Sequence, residues 1–238
     1  VIAMIVALAT FTQAVTGFGL ALVSMPLLVG MIGIRQAAPL IALVGIASQV
    51  IMIIRYRQRV VWGDIRELAV GSVVGIPLGV LALTTVSETL VTLVLGVVIL
   101  AYAVYALTAA DRPPPRLKGG PVAYGAGLAG GLLTGAYNSG GPPLVIYGSA
   151  RRWSPLTFKG NIQALLVVHS LTAIASHSVA GNMTASVFEL FLVMVPVLLL
   201  ATLAGFALDR TIDARRFHQL VLVLLILLGL RLIVGALG

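Results

Sequence analysis

Thr134-Gly135-Ala136-Tyr137-Asn138-Ser139-Gly140-Gly141-Pro142-Pro143 interrupts residues 122–150, a run without one charged side chain. A plain membrane-spanning helix has little use for Asn, Ser, paired glycines and paired prolines. Gly140 and Gly141 permit backbone conformations and close approaches that other residues forbid. Pro142 and Pro143 cannot donate backbone hydrogen bonds, yet suit the first turn of a new helix. The stretch therefore predicts a helix from about 121, a break near Asn138 and a second helix from Pro142. At membrane depth such a break is tolerated only where protein or water covers the freed backbone groups.

The rest of the chain agrees with a bilayer as solvent. Of its 238 residues 60% are hydrophobic and 9% charged, too few polar groups to cover a soluble domain. Mean hydropathy is +1.12, and several apolar runs reach the roughly 20 residues that span a bilayer as helix. No cysteine is present, which excludes disulfides, thiolate metal sites and a cysteine nucleophile. The net charge of +8 reads as orientation signal, not as a nucleic-acid footprint. Val1 lies within an apolar run that lacks the basic flank of a signal peptide.

In chain order, residues 1–31 carry a second break, Thr16-Gly17-Phe18-Gly19, between two arms each shorter than a span. They read as a re-entrant hairpin, with one long tilted helix as the alternative. Spans follow at 36–54, 67–84 and 89–108. Residues 109–120, with Arg-Pro-Pro-Pro-Arg and Gly-Gly, read as a cytoplasmic linker. Then the order repeats: a broken run at 121–150, and spans at 160–177, 187–208 and 217–237. Thr16-Gly17 aligns with Thr134-Gly135, Pro26-Leu27 with Pro143-Leu144, Arg35 with Arg152 and Glu67-Leu68 with Glu189-Leu190. Their shared order supports an internal repeat, 1–108 and 121–238.

Charge decides how the halves relate. Thirteen of the 15 basic residues fall in four connections, and the connections 85–88 and 177–186 hold none. The positive-inside rule puts the four basic connections in the cytoplasm. All four reach one side only if 121–150 enters and leaves on that side. The expected fold is thus an all-α integral membrane protein, an inverted repeat of two halves. Each half has a re-entrant broken-helix hairpin plus three transmembrane helices, and both termini are external. Inverted repeats with broken helices are a transporter architecture, with substrate held at the breaks.

Thr16-Gly17-Phe18-Gly19 followed by Pro26-Leu27-Leu28, and after the linker Ser139-Gly140-Gly141-Pro142-Pro143 and Tyr147, resembles the sulfite exporter TauE/SafE family. The likeness covers nearly the whole chain, including Ile76-Pro77-Leu78-Gly79. It implies a transporter of the prokaryotic cell membrane, generally an exporter, for sulfite, thiosulfate or an organosulfonate. It implies no particular one of them.

An anion held inside a membrane is best met by helix N-termini, whose free N–H groups carry partial positive charge without a buried cation. Candidate substrate-binding residues are Thr16, Gly17, Phe18 and Gly19 in the first break, and Thr134, Tyr137, Asn138, Ser139, Gly140 and Gly141 in the second. Plain helix capping and tight packing of small residues explain the same residues. Arg35 and Arg152, matched in the repeat, are candidates for an electrostatic gate, or for lipid-headgroup contact. His169 lies well inside a span and is the candidate proton relay, since all seven acids sit in connections or near span ends. The amides Gln13, Gln49, Asn161 and Gln163 bridge helices or face substrate. No zincin histidine pair or acid pair marks an intramembrane enzyme, so no catalytic residue, cofactor or metal is expected. The expected partners are the lipid bilayer and a small anion, without nucleic acid; self-association into a homo-oligomer stays open. A channel-like anion pore is the alternative function, separated from a transporter by turnover rate.

The charge split yields a topology test. Cysteines placed singly at Ser87 and Lys118 should react with impermeant reagents from opposite faces of the membrane, and labelling of both from outside intact cells contradicts the inverted repeat.

Overall fold

In the computed structural model the described residues are 1–108, 119–208 and 214–237, and all regular structure among them is helical. Two short helices, α1 (Ile2–Thr16) and α2 (Leu20–Ile32), precede α3 (Ile34–Tyr56), α4 (Trp62–Thr85) and α5 (Glu88–Thr108). Then α6 (Pro121–Tyr137) and α7 (Gly141–Ala150) precede α8 (Pro155–Val179), α9 (Ala185–Leu208) and α10 (Ala214–Leu237). Six helices are long and apolar enough to cross a membrane: α3, α4, α5, α8, α9 and α10. The remaining four, at 15, 13, 17 and 10 residues, fall short of a roughly 20-residue span. The protein is an all-helical integral membrane protein. Most of the 109–120 linker, with Arg112, Arg116 and Lys118, lies outside the described residues.

Several helices start before the apolar spans do. Helix α8 begins at Pro155 because Ser154 caps it, its hydroxyl accepting from Thr157 N at 3.3 Å. Helix α4 begins at Trp62, with Asp64 in its first turn. Hydropathy registers only the part of a helix that meets lipid; the polar caps extend it.

The packing is set by small residues. Gly71, Gly75 and Gly79 recur every fourth residue along one face of α4, and Gly127, Gly131 and Gly135 do so on α6. A Cβ on Gly75 would run into the Leu128 carbonyl, and one on Gly131 into the Ser72 carbonyl. The two backbones therefore touch, which is how membrane helices gain dispersion contacts without a hydrophobic driving force. The other close pairs are α9 on α1, where Gly205 meets Ala14, and α10 on α5, where Gly96 faces Gly229. Helix α3 faces α8 at the centre, its residues from Ala37 to Val44 all buried. Leu81, Val97, Leu192, Leu200 and Leu227 are exposed on the rim, the expected surface of a protein dissolved in lipid.

Acids do structural work at helix starts. Glu88 Oε1 accepts from Ile34 N at 3.0 Å, and Glu67 Oε2 accepts from Gly120 N at 2.6 Å, each a carboxylate at the positive end of a helix. Asp64, one turn before Glu67 on α4, pairs with Arg151 at 3.3 Å. Both ends of residues 121–150 are thus tied to the start of α4.

Two alanines on one helix separate close packing from helix propensity. Gly131→Ala should destabilise the detergent-solubilised protein by about 1–3 kcal/mol, because backbone must move. Gly125→Ala, whose Cβ meets nothing within 4 Å, should be neutral or stabilising by roughly 0.5–1 kcal/mol. Equal melting shifts would contradict the backbone contact.

Candidate functional site

The first break is built by two left-handed glycines. Gly17 (φ 89°) ends α1 with its N–H on Gln13 O at 2.8 Å, and Gly19 (φ 108°) opens α2. Both φ values lie where side chains with a Cβ are strained. The Thr16 hydroxyl stays in its own turn, 2.8 Å from Thr12 O and 2.5 Å from Phe18 O. Helix α8 satisfies carbonyls at the end of α1: the Gln163 amide donates to Gly17 O, and Lys159 Nζ to Val15 O at 3.4 Å.

In the second break Asn138 takes the left-handed position (φ 52°), which asparagine tolerates better than most residues. Its N–H bonds Thr134 O at 2.7 Å and its side chain donates to Ala38 O on α3 at 3.3 Å. Ser139 is buried, its hydroxyl donating to Tyr137 O at 3.1 Å. Gly140 is required by space: a Cβ there would strike Thr134 Oγ1 and the Gly130 carbonyl, and stand 3.0 Å from His169 Nδ1.

Both breaks open onto one cavity. Phe18 and Gly19 line it from the first, Thr134, Asn138, Ser139 and Gly141 from the second. Leu20, Ala21 and Leu22, the first turn of α2, line it too, and first-turn N–H groups have no acceptor within their own helix. Gln13, Gln49, His169 and Ser170 complete its polar wall. Its volume is about 30 Å³, room for about two waters. Among the described residues no acidic or basic chain other than His169 lines it.

His169, 1% exposed, bridges two helices. Its Nδ1 lies 2.6 Å from Thr134 Oγ1 on α6 and its Nε2 2.7 Å from Ser72 Oγ on α4. Each hydroxyl also has a carbonyl in reach: Thr134 has Gly130 O at 2.9 Å, and Ser72 has Leu68 O at 2.8 Å and Gly127 O at 3.0 Å.

Other residues singled out in the sequence stand away from the cavity. Thr16 and Gly17 form the turn behind it, and Tyr137 is buried without lining it. Arg35 and Arg152 are exposed; Arg35 Nη2 reaches Thr84 O at 3.5 Å, and Arg152 occupies a left-handed turn (φ 55°) after α7. Sequence reasoning missed Ser72 and Ser170. Ser170 had a readable signal, standing beside His169 in an apolar span. Ser72 had none, being 97 residues from the imidazole it meets.

The family profile described as Sulfite exporter TauE/SafE matches residues 2–232. The "Probable sulfite/organosulfonate exporter TauE" of Cupriavidus necator is 30% identical over 203 residues, 82% of this chain and 78% of that protein. No solved structure matches the chain.

The two glycines of the second break should behave differently. Gly140→Ala should lower stability by about 1–3 kcal/mol through overpacking, whereas Gly141→Ala, whose Cβ would meet only Phe18 at 3.8 Å, should stay within about 0.5 kcal/mol. Thermal unfolding in detergent checks the pair; a larger loss for Gly141→Ala would contradict the contacts described.

Proposed function

Since the chain belongs to the sulfite exporter TauE/SafE family, we propose that it carries a small sulfur-containing anion (sulfite, thiosulfate or an organosulfonate) outward across a prokaryotic cell membrane. The anion binds between the two breaks. The observation that carries this reading is the convergence of both breaks on one cavity that no Lys or Arg among the described residues lines. Backbone N–H groups and helix-end dipoles then supply the positive field, at less desolvation cost than a buried Arg or Lys. Asn138 and Ser139 add neutral polar groups. At about 30 Å³ the cavity is narrow, so loading requires it to widen.

The proposed frame is two inverted halves. Exchanging α1–α5 with α6–α10 maps α9 on α1 to α4 on α6, and leaves the pairs α3 with α8 and α5 with α10 in place. Attachment of both ends of 121–150 to the start of α4 supports a hairpin that enters and leaves on one side. That arrangement places both hairpin tips near the midplane, where such transporters bind substrate. Arg35 and Arg152 then stand at the membrane surfaces as attractors, away from the binding step.

His169 is the proposed proton carrier. When it holds two protons, both N–H groups donate to Thr134 and Ser72, and both hydroxyls donate onward to carbonyls. With one proton, one hydroxyl must turn from its carbonyl to the bare ring nitrogen. An anion in the same cavity is the counter-charge for the doubly protonated form. Charged side chains on the neighbouring α3 and α4 (Arg35 and Arg55; Asp64, Arg66 and Glu67) sit near helix ends, and α6 carries only Tyr124 and Tyr137 as titratable groups. On α8 itself, Lys159 and His177 are roughly 15 and 12 Å along the axis.

A thermal-shift panel of sulfite, thiosulfate, sulfate, taurine and methanesulfonate tests the site, because a ligand of the folded state must raise its melting temperature. Gly141→Leu should remove the shift at unchanged folded yield, by covering the start of α7. Methanesulfonate keeps one charge from pH 5 to 9, so any pH dependence of its transport belongs to the protein; His169→Gln should flatten it. Unaltered binding by folded Gly141→Leu would place the site elsewhere, and an unaltered pH profile would leave His169 a structural bridge.

A further inference from the structure

Gln13 is 1% exposed, on the last turn of α1, and lines the cavity. Its backbone carbonyl is engaged by Gly17 N, but its side-chain Nε2 has no hydrogen-bond partner among the described residues. A buried amide nitrogen is a donor that has given up water, and native proteins leave few such groups unmatched. Where one persists beside a cavity, the missing acceptor is best sought in what the cavity binds.

We propose that the Gln13 side-chain amide donates to an oxygen of the transported anion. The inference rests on the cavity being the anion site and adds a residue to it. Other unmatched buried atoms are less suited. Thr10 Oγ1 and Ser48 Oγ belong to residues that do not line the cavity, and Gln49 Oε1, which does, is an acceptor and repels an oxyanion. The nearby amide of Gln163 is committed to Gly17 O. Among the described residues Gln13 Nε2 is thus the fully buried, unmatched side-chain N–H donor on the cavity wall. It is neutral and does not titrate, so its contribution persists across the pH range in which His169 gains and loses its proton. Its position also gives the first half a side-chain donor where Thr16, turned into its own helix, provides none.

The test uses opposite signs. Gln13→Met keeps the length of the side chain and removes a donor that has no partner in the anion-free protein. Its melting temperature without anion should therefore equal or exceed that of the wild type, while its affinity for sulfite and methanesulfonate falls tenfold or more. Gln13→Glu, of the same shape but donating nothing when ionised, should bind neither anion. Gln163→Met is the contrast, since it loses a hydrogen bond present in the anion-free protein and should melt lower. Affinities come from calorimetric titration of detergent-purified protein, with Gly141→Leu alongside. Unchanged affinity in Gln13→Met, while Gly141→Leu loses binding, overturns the role of Gln13 and leaves the cavity standing. Unchanged affinity in both overturns the cavity as well. A lower melting temperature for Gln13→Met with wild-type affinity, or failure of both Gln13 variants to fold, makes Gln13 a packing residue and overturns the proposal.

Discussion

A backbone N–H or carbonyl without a partner inside hydrocarbon costs several kcal/mol, and this chain interrupts two helices where that cost applies. Everything near the interruptions is arranged to meet it. Carbonyls at the end of α1 receive the Gly17 N–H, the Gln163 amide and Lys159. At the end of α6, the Asn138 and Ser139 N–H groups bond Thr134 O and Leu133 O at 2.7 and 3.2 Å. The C-terminal ends before the breaks are therefore closed by protein. The N-terminal ends after them, at Leu20 to Leu22 and at Gly141, face the cavity instead. Helix N-termini carry partial positive charge, and here they meet a cavity that no Lys or Arg among the described residues lines.

Such a centre needs a scaffold that does not splay. The glycine stripes of α4 and α6 bring backbones together along three turns, and His169 adds a bridge from Thr134 on α6 to Ser72 on α4 at the level of the cavity. Close packing and the imidazole bridge fix the same pair of helices. Motion in this region is therefore a motion of α4 and α6 together, or it breaks the imidazole bridge.

Much of this could be read from residue types alone. Thr16-Gly17-Phe18-Gly19 and Asn138-Ser139-Gly140-Gly141-Pro142 mark breaks because glycine and proline act locally, through φ and the missing N–H. The spans were legible for the same reason, and only their polar caps, such as Ser154, were not. What escaped was pairing across the chain. Gly71, Gly75 and Gly79 form a visible period of four, but one dimension does not say that α6 carries the matching stripe. The two breaks likewise pointed to Thr16 and Gly17 as strongly as to Gly19 and Gly141, yet only the latter two line the cavity. Which side of a turn faces inward depends on the helices around it.

Helix α8 supplies the last constraint. Gln163 holds the carbonyl of Gly17 in the first break, and His169 holds Thr134 beside the second. These residues lie six apart on one rigid helix, about 9 Å along its axis. The spacing between the two breaks is thus set by a rod and two hydrogen bonds, not by loops that drift. The breaks are nevertheless held differently: the first offers α8 a carbonyl, the second a hydroxyl that bonds the His169 ring. The imidazole bears on the second break and has no part in the Gln163 contact. The two breaks thus present helix ends to one cavity while resting on α8 through different chemistry.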